Sequence, residues 1–251
     1  MSVERPAKDR WRLDRLLVDR GLAGSREKAK AMIMAGLVLV DGTRVDKPGH
    51  PVPDQAAVSL KESRPPFVSR GGQKLEAALE HFRVSVQALT LLDVGASTGG
   101  FTDCLLKRGA GRVTAIDVGY GQLDWTLRQD PRVEVLEKTN IRYLEPERLN
   151  ILAHGAVIDV SFISLKQVVP PVSRLLRENA FIIALIKPQF EVGKGKVGKG
   201  GVVRDPLLHQ GVIEDLTRFF EHSGWRVHGH IPSPLLGPKG NREFLVYMTR
   251  D

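Results

Sequence analysis

The chain has 251 residues, 42% of them hydrophobic and 26% charged, a composition that gives a globular protein one sizeable core and room for a small extra domain. No apolar run approaches the ~18–20 residues that span a bilayer, the N-terminal MSVERPAKDRWR lacks the apolar centre of a signal peptide, and the single cysteine, Cys104, allows neither an internal disulfide nor a zinc site of its own. A cytoplasmic protein with no stable membrane association and no bound metal is expected, and the net charge of +8 suggests a polyanionic partner.

The basic excess is uneven. Residues 1–66 hold 13 Lys+Arg against 9 Asp+Glu; the rest hold 24 against 20, so the net basic excess per residue is almost three times higher at the N-terminal end. Residues 10–61 read as a small α+β domain. Leu13, Leu16 and Leu17, and then Ala29, Ile33 and Met34, recur at helical spacing. Gly24-Ser25 separates the two helices with Ser25 as N-cap, and Gly36 ends the second. Leu37–Val40 is a strand closed by the Asp41-Gly42 turn, with Val45 and Val58 in further short strands. The polar face of the helices carries Arg12, Arg15, Arg20, Arg26, Lys28 and Lys30. Such a run is usually only a solvated face, but beside a tight hairpin in so small a domain it points to RNA phosphates. The stretches RLDRLLVDRGLAGSREKAKAMIMAG and VLVDGTRVDKPGHPV resemble the S4, or alpha-L, RNA-binding domain. KESRPP at 61–66 is charged and then stiffened by two prolines, so 62–66 reads as a linker.

From 67 to 251 strands alternate with helices. The expected strands are Leu91–Val94, Val113–Val118, Val133–Leu136, Val157–Val160, Phe181–Ile186, Val227–Ile231 and Phe244–Met248, with helices such as Thr98–Arg108 and Leu165–Arg177 between them. This alternation predicts an α/β, Rossmann-like domain, a mainly parallel seven-stranded sheet covered on both faces.

Leu91 to Thr102, LLDVGASTGGFT, runs from a buried strand through a glycine turn into a helix. In a doubly wound sheet such a turn borders a ligand pocket. The dinucleotide fingerprint is GxGxxG; here the pattern is GxxxGG, with Ser97 at the second glycine position. Asp93 at the strand end suits a cationic amino-acid end better than a pyrophosphate, and Asp117, 22 residues after Gly95, can accept hydrogen bonds from ribose hydroxyls. These features favour S-adenosylmethionine over NAD, although a bare glycine turn is often only helix–strand packing. Gly193 to Lys199 formally matches GxxxxGK, but Gly200 stands where a P-loop needs Ser or Thr, so a mobile basic loop at the pocket mouth is expected. Arg12-Leu13-Asp14 echoes a pseudouridine synthase motif without a catalytic domain around it. Cys104 reads as core.

Three polar groups stand where strands end: Asp159 in VIDVSF, Lys187 in LIKPQF, and Glu243 before FLVYM. Lys74, in SRGGQKL, opens the helix before the glycine strand. A lysine closing the apolar run FIIALI is costly unless paired or functional; the plain alternative is a buried ion pair with Asp159. The segments SRGGQKL, DVGASTGGFTD, DVGYGQL, DPRV, TNIR, DVSFISL, IKPQFEVGKG, VGKGGVVRDP and GNREF stand in an order that resembles the TlyA family, hemolysin-named rRNA 2′-O-methyltransferases with a catalytic domain of the FtsJ/RrmJ type. The resemblance covers roughly residues 11–249. It implies a Lys-Asp-Lys-Glu tetrad at Lys74, Asp159, Lys187 and Glu243, and an S-adenosylmethionine site at Gly95, Ser97, Gly99, Asp117 and Asn140. It also implies ribosomal RNA, or a ribosomal subunit, as partner and cytidine ribose as target. The chain's end shortly after its last strand favours 23S over 16S rRNA. The other readings are a non-catalytic RNA-binding factor and a membrane-active hemolysin.

Overall fold

Leucines at helical spacing and a valine-rich hairpin build the first of two units, Met1–Pro65; the second is Pro66–Asp251. The computed structural model describes residues 10–60, 66–149, 152–193, 195–198 and 200–250. Most of the expected linker, 62–65, and Lys194 and Lys199 of the glycine-lysine loop lie outside the described residues.

The first unit runs β1 (Trp11–Arg12), α1 (Leu13–Asp19), α2 (Arg26–Met34), β2 (Val38–Val40), β3 (Thr43–Arg44), β4 (Pro51–Val52) and β5 (Val58–Leu60). Ser25 caps α2, its Oγ accepting the Lys28 N–H at 3.2 Å. β2 pairs antiparallel with both β3 and β5, and β1 with β4. Leu13, Leu16, Leu17, Ala29, Ile33 and Val38 form the small core.

Part of the expected basic face has structural work. Asp14 is fully buried yet accepts from Arg12 at 3.1 Å and from Arg26 at 3.0 Å, so the RLD tripeptide is an internal tie. Arg20 donates to the carbonyls of Ala56, at 2.8 Å, and Asp54. The side chains of Arg15, Lys28 and Lys30 make none of the hydrogen bonds or ion pairs found among the described residues. Burial raises the Asp14 pKa, but the Arg12 and Arg26 hydrogen bonds outweigh it and leave the carboxyl below its ordinary value.

The second unit comprises α3 (Gly71–His81), β6 (Thr90–Val94), α4 (Gly100–Lys107), β7 (Arg112–Ile116), α5 (Trp125–Arg128), β8 (Val133–Leu136), β9 (Ala153–Ile158), α6 (Leu165–Ser173), β10 (Leu176–Ile186), α7 (Pro188–Glu191), α8 (Pro206–His222), β11 (Arg226–Pro232) and β12 (Phe244–Thr249). The seven strands lie in the order β11-β12-β10-β9-β6-β7-β8. β12 is antiparallel to both of its neighbours, and every other pairing in the sheet is parallel. Because successive strand residues point to opposite faces, Ile182, Ala184 and Ile186 of β10 join one core with Val168, Val172, Leu216 and Phe220. Ile183 and Leu185 join the other with Leu75, Leu79, Phe101 and Leu105. This two-sided burial is why Ala180–Ile186 of β10 reads as an unbroken apolar run.

Several expected boundaries moved: β10 starts at Leu176 and not at Phe181, β7 stops at Ile116 and not at Val118, and α4 starts at Gly100 and not at Thr98. The helix foreseen as Leu165–Arg177 ends at Ser173, since Pro170 and Pro171 remove two backbone donors and Leu176 pairs with Ala153 in the sheet. The strand foreseen as Val157–Val160 runs Ala153–Ile158, leaving Asp159 just beyond its end.

Asp14→Asn is expected to weaken the first unit by about 1.5–3 kcal/mol, the worth of charged hydrogen bonds lost. Because the carboxyl is depressed in the fold, its contribution is present above the ordinary carboxylate value and fades as pH falls through the native one. Hydrogen exchange at neutral pH checks this: amides of α1 and α2 should exchange faster in the variant while those of β6 and β10 keep their protection.

Candidate active site

The chain departs β6 in one direction, to β7 and β8, and departs β9 in the other, to β10. The crevice at the carboxyl ends of β6 and β9 is therefore the sheet's switch point, where such folds bind ligands. Gly95 follows β6 and Asp159 follows β9. Gly95 has φ +85°, and a Cβ there would lie 2.4 Å from the Asp159 carbonyl oxygen, so conformation and close approach both demand glycine. Two cavities meet at this contact, sharing Gly95, Ser97 and Asp159 in their walls.

The first cavity, about 450 Å³, is lined by Lys74, Asp159, Lys187 and Glu243 together with Arg70 and the Leu235–Pro238 loop. Lys74 Nζ lies 2.6 Å from Glu243 Oε2. Lys187 Nζ lies 2.6 Å from Asp159 Oδ1 and donates to Ser161 Oγ at 3.0 Å. Glu243 is 2% exposed and Lys187 8%, so each charge is held by its partner: stranding one member of a buried pair costs roughly 3–5 kcal/mol. Backbone closes the cavity over Glu243, since a Cβ on Gly237 would sit 2.0 Å from Glu243 Oε1.

The second cavity, about 600 Å³, is lined by Gly95, Ser97, Asp117, Gln122, Asn140 and Phe162, among others. Asp117 braces the glycine turn: Oδ2 accepts the Ser97 N–H at 2.8 Å and Oδ1 the Gly119 N–H at 2.7 Å. A carboxylate has about four acceptor sites, so capacity for a ribose diol remains. Asn140 Oδ1 accepts the Arg142 N–H at 3.1 Å, which leaves its amide N–H groups for a ligand. This donor and acceptor set fits S-adenosylmethionine.

Two expected cofactor residues have evident packing roles. Asp93 lines neither cavity; it is fully buried behind the turn, where its Oδ2 accepts the Thr102 hydroxyl at 2.6 Å. Gly99 also lines neither cavity. Its φ of +93° starts α4, and a Cβ there would sit 2.3 Å from the Leu127 side chain, so its smallness serves packing.

Other residues at the site carry no individual signal within the segments that hold them. Ser161 completes the environment of Lys187. Phe162 is 90% exposed with φ +65° and lies 5.0 Å from the ring of Phe190; in DVSFISL it reads as one more apolar residue. Asn241, 3% exposed, accepts from Val203 N and donates to the carbonyls of Gly201 and Pro238, tying two loops beside the first cavity. Among the described residues no cluster of three or more His, Cys, Asp or Glu could hold a metal ion, and no helix is long and apolar enough to cross a membrane.

Burial pushes the Asp93 carboxyl up to about 7, against the pull of the Thr102 hydrogen bond. The fold thus favours the protonated form, and ionising Asp93 costs stability. The penalty is absent below the ordinary value of 3.8, grows as pH rises, and levels off above about 7 at no more than about 4 kcal/mol. Unfolding free energies of wild type and Asp93→Asn between pH 4 and 8 check this, because the variant should lose that part of the decline.

Comparison with known proteins agrees with this geometry. Residues 67–250 match the FtsJ-like methyltransferase family and residues 11–58 the S4 domain. The chain is 49% identical over 240 residues to the 16S/23S rRNA (cytidine-2′-O)-methyltransferase TlyA of Mycobacterium tuberculosis, covering 95% of this chain and 90% of that protein. A solved, hemolysin-named chain from Streptococcus thermophilus is 44% identical with a TM-score of 0.74, covering 97% of this chain and 90% of that one. An S-adenosylmethionine-dependent methyltransferase from Mesorhizobium loti, 13% identical, covers 69% of this chain and 96% of its own and shares the fold alone, with a TM-score of 0.51. With a glycine turn at the switch point, two lysine–carboxylate pairs beside it and an S4 domain in front, this chain belongs to the TlyA family of rRNA methyltransferases.

Proposed function

We propose that the chain methylates the 2′-hydroxyl of a cytidine in ribosomal RNA, with 23S rRNA the first candidate and 16S rRNA the second. The observation that carries the reading is the junction of the two cavities. A cofactor seated over Gly95, Ser97, Asp117 and Asn140 abuts a second chamber whose charged groups are two lysines, each held by a carboxylate, and Arg70. When bound, S-adenosylmethionine supplies a methyl group activated by sulfonium.

The chain's own residues then align a poor nucleophile and manage its proton. Lys187 Nζ, fixed between Asp159 and Ser161, binds the acceptor hydroxyl; as the ammonium it stabilises the developing alkoxide, or, once its own proton has passed to Asp159, the neutral amine takes the hydroxyl proton. Asp159 orients Lys187, and Glu243 holds Lys74 as a second cation on the chamber wall. Alignment of bound reactants alone contributes up to ~7–11 kcal/mol in favourable cases.

RNA docking divides between the units. Arg15, Lys28 and Lys30 offer phosphate contacts from the first. Around the second cavity, exposed Phe162 offers a stacking face, and Tyr120 and Tyr143 each carry a cation over the ring: Lys138 at 4.4 Å and Arg142 at 5.2 Å. Such rings stack on unpaired bases.

Methyl transfer from labelled S-adenosylmethionine to unmodified 23S and 16S rRNA, followed by nucleotide digestion, tests the reading. Label in 2′-O-methylcytidine with wild type and none with Lys187→Ala is the expected result; a Lys187→Ala protein with a normal single-turnover rate would overturn the assignment. Arg15→Glu combined with Lys28→Glu is expected to weaken rRNA binding about tenfold or more and to flatten its salt dependence. Isothermal titration should find the affinity for S-adenosylmethionine unchanged.

A further inference from the structure

We propose that Glu191 is a positioning residue for the transfer step: from the segment that carries Lys187 it clamps the loop that carries Asp159, and so sets the Lys187–Asp159–Ser161 geometry. The inference rests on the methyltransferase reading above and deepens it.

Asp159 and Lys187 are each the first residue beyond a strand, β9 and β10, which are parallel neighbours. Past that point the two chains leave the ladder. One wanders through Ser161 and Phe162, with Phe162 at positive φ, before α6 begins at Leu165. The other makes the single turn α7. A lysine Nζ on a four-carbon stem does not by itself fix two loops in register, because it loses too much rotamer freedom.

Glu191, at the end of α7, supplies the link. Its Oε2 accepts the Ser164 hydroxyl at 2.6 Å and its Oε1 the Leu165 N–H at 2.8 Å. The second bond satisfies one of the orphan donors in the first turn of α6. Ser164 Oγ already accepts the Lys166 N–H at 3.1 Å, so Glu191 adds a second cap, at Leu165, and through its bond to the Ser164 hydroxyl a tie between the two loops. No cation lies within ion-pair distance of Glu191 among the described residues, and nearby Lys166 is paired with Asp215 at 2.7 Å. Burial raises the Glu191 pKa, opposed by the bonds to Ser164 and Leu165. A carboxylate kept in a half-buried place without an ion-pair partner among the described residues, hydrogen-bonded across the two loops, acts through that bridge. The Phe162–Phe190 contact adds an apolar rung beside it.

The test is single-turnover methyl transfer at saturating S-adenosylmethionine and rRNA, with Glu191→Ala, Glu191→Gln, Ser164→Ala and Lys187→Ala in parallel. A misplacement of about 1 Å costs on the order of 100-fold in rate, so Glu191→Ala should slow transfer about 100-fold while both ligands keep their affinities. Glu191→Gln retains an acceptor for Leu165 N–H and turns its amide N–H towards Ser164 Oγ, so it should restore most of the rate. Ser164→Ala, which removes half the bridge, should fall between wild type and Glu191→Ala, and decides the matter if Glu191→Ala does not fold. Glu191→Gln as slow as Glu191→Ala would overturn the proposal, as would a rate loss matched by an equal loss of cofactor affinity. Wild-type rates in all three bridge variants beside an inactive Lys187→Ala would sink the clamp alone; an active Lys187→Ala would sink the reading on which it rests.

Discussion

Where β6 and β9 leave the sheet, the backbones of Gly95 and Asp159 touch, and both cavities take their position from that contact. A side chain at 95 would push the β9 loop away by more than its contacts allow, because the obstacle is a carbonyl oxygen and not the flexible end of a side chain. The same glycine takes a backbone conformation that other residues avoid. Strand order then does the rest. Opposite exits from β6 and β9 open a crevice, and the residues first out of each strand, Gly95, Asp159 and, one strand further, Lys187, line it without any long loop having to find them. The chemistry is placed by rigid elements and only trimmed by loops.

Polar and charged groups sit in a protected part of the second unit. Asp93, Thr102, Lys187 and Glu243 are all buried near the switch point, where each needs a partner to offset its desolvation. Thr102 serves Asp93, Asp159 and Ser161 serve Lys187, and Lys74 serves Glu243. Apolar layers on both faces of the sheet hold the strand ends still enough for these pairs to persist. Buried ion pairs add little net stability of their own, so the core carries the fold and the pairs carry geometry.

Much of this was legible before any coordinates. The alternation of strands and helices, the glycine turn, and a lysine closing a buried strand are local patterns with few physical interpretations. The packing of Asp93 against Thr102 and of Gly99 against Leu127 was not legible, because which neighbour a residue near a strand end or a helix start meets depends on tertiary contacts that no local pattern encodes. Phe162 escaped because exposure and positive φ are properties of a loop's final path. Glu191 escaped because its partners, Ser164 and Leu165, lie 27 and 26 residues away in sequence. The expected extent of α6 erred for a different reason: helical spacing continued past Pro170-Pro171, but the sheet claimed Leu176.

The pairing of the four central charges has an electrical consequence. Two lysines and two carboxylates, each couple within 2.6 Å, sum to zero and form two short dipoles whose fields largely cancel a few ångströms outside the cavity. The tetrad therefore exerts almost no long-range pull on a polyanion, and mobile ions, which screen over roughly 10 Å at 0.1 M, find little in it to screen. On the proposed function, recruitment of the RNA is left to exposed cations such as Arg70, Arg142 and Lys138 and to the first unit. On the same proposal capture and reaction are separated: ionic strength would govern how often a substrate arrives and hardly alter what happens to it once seated.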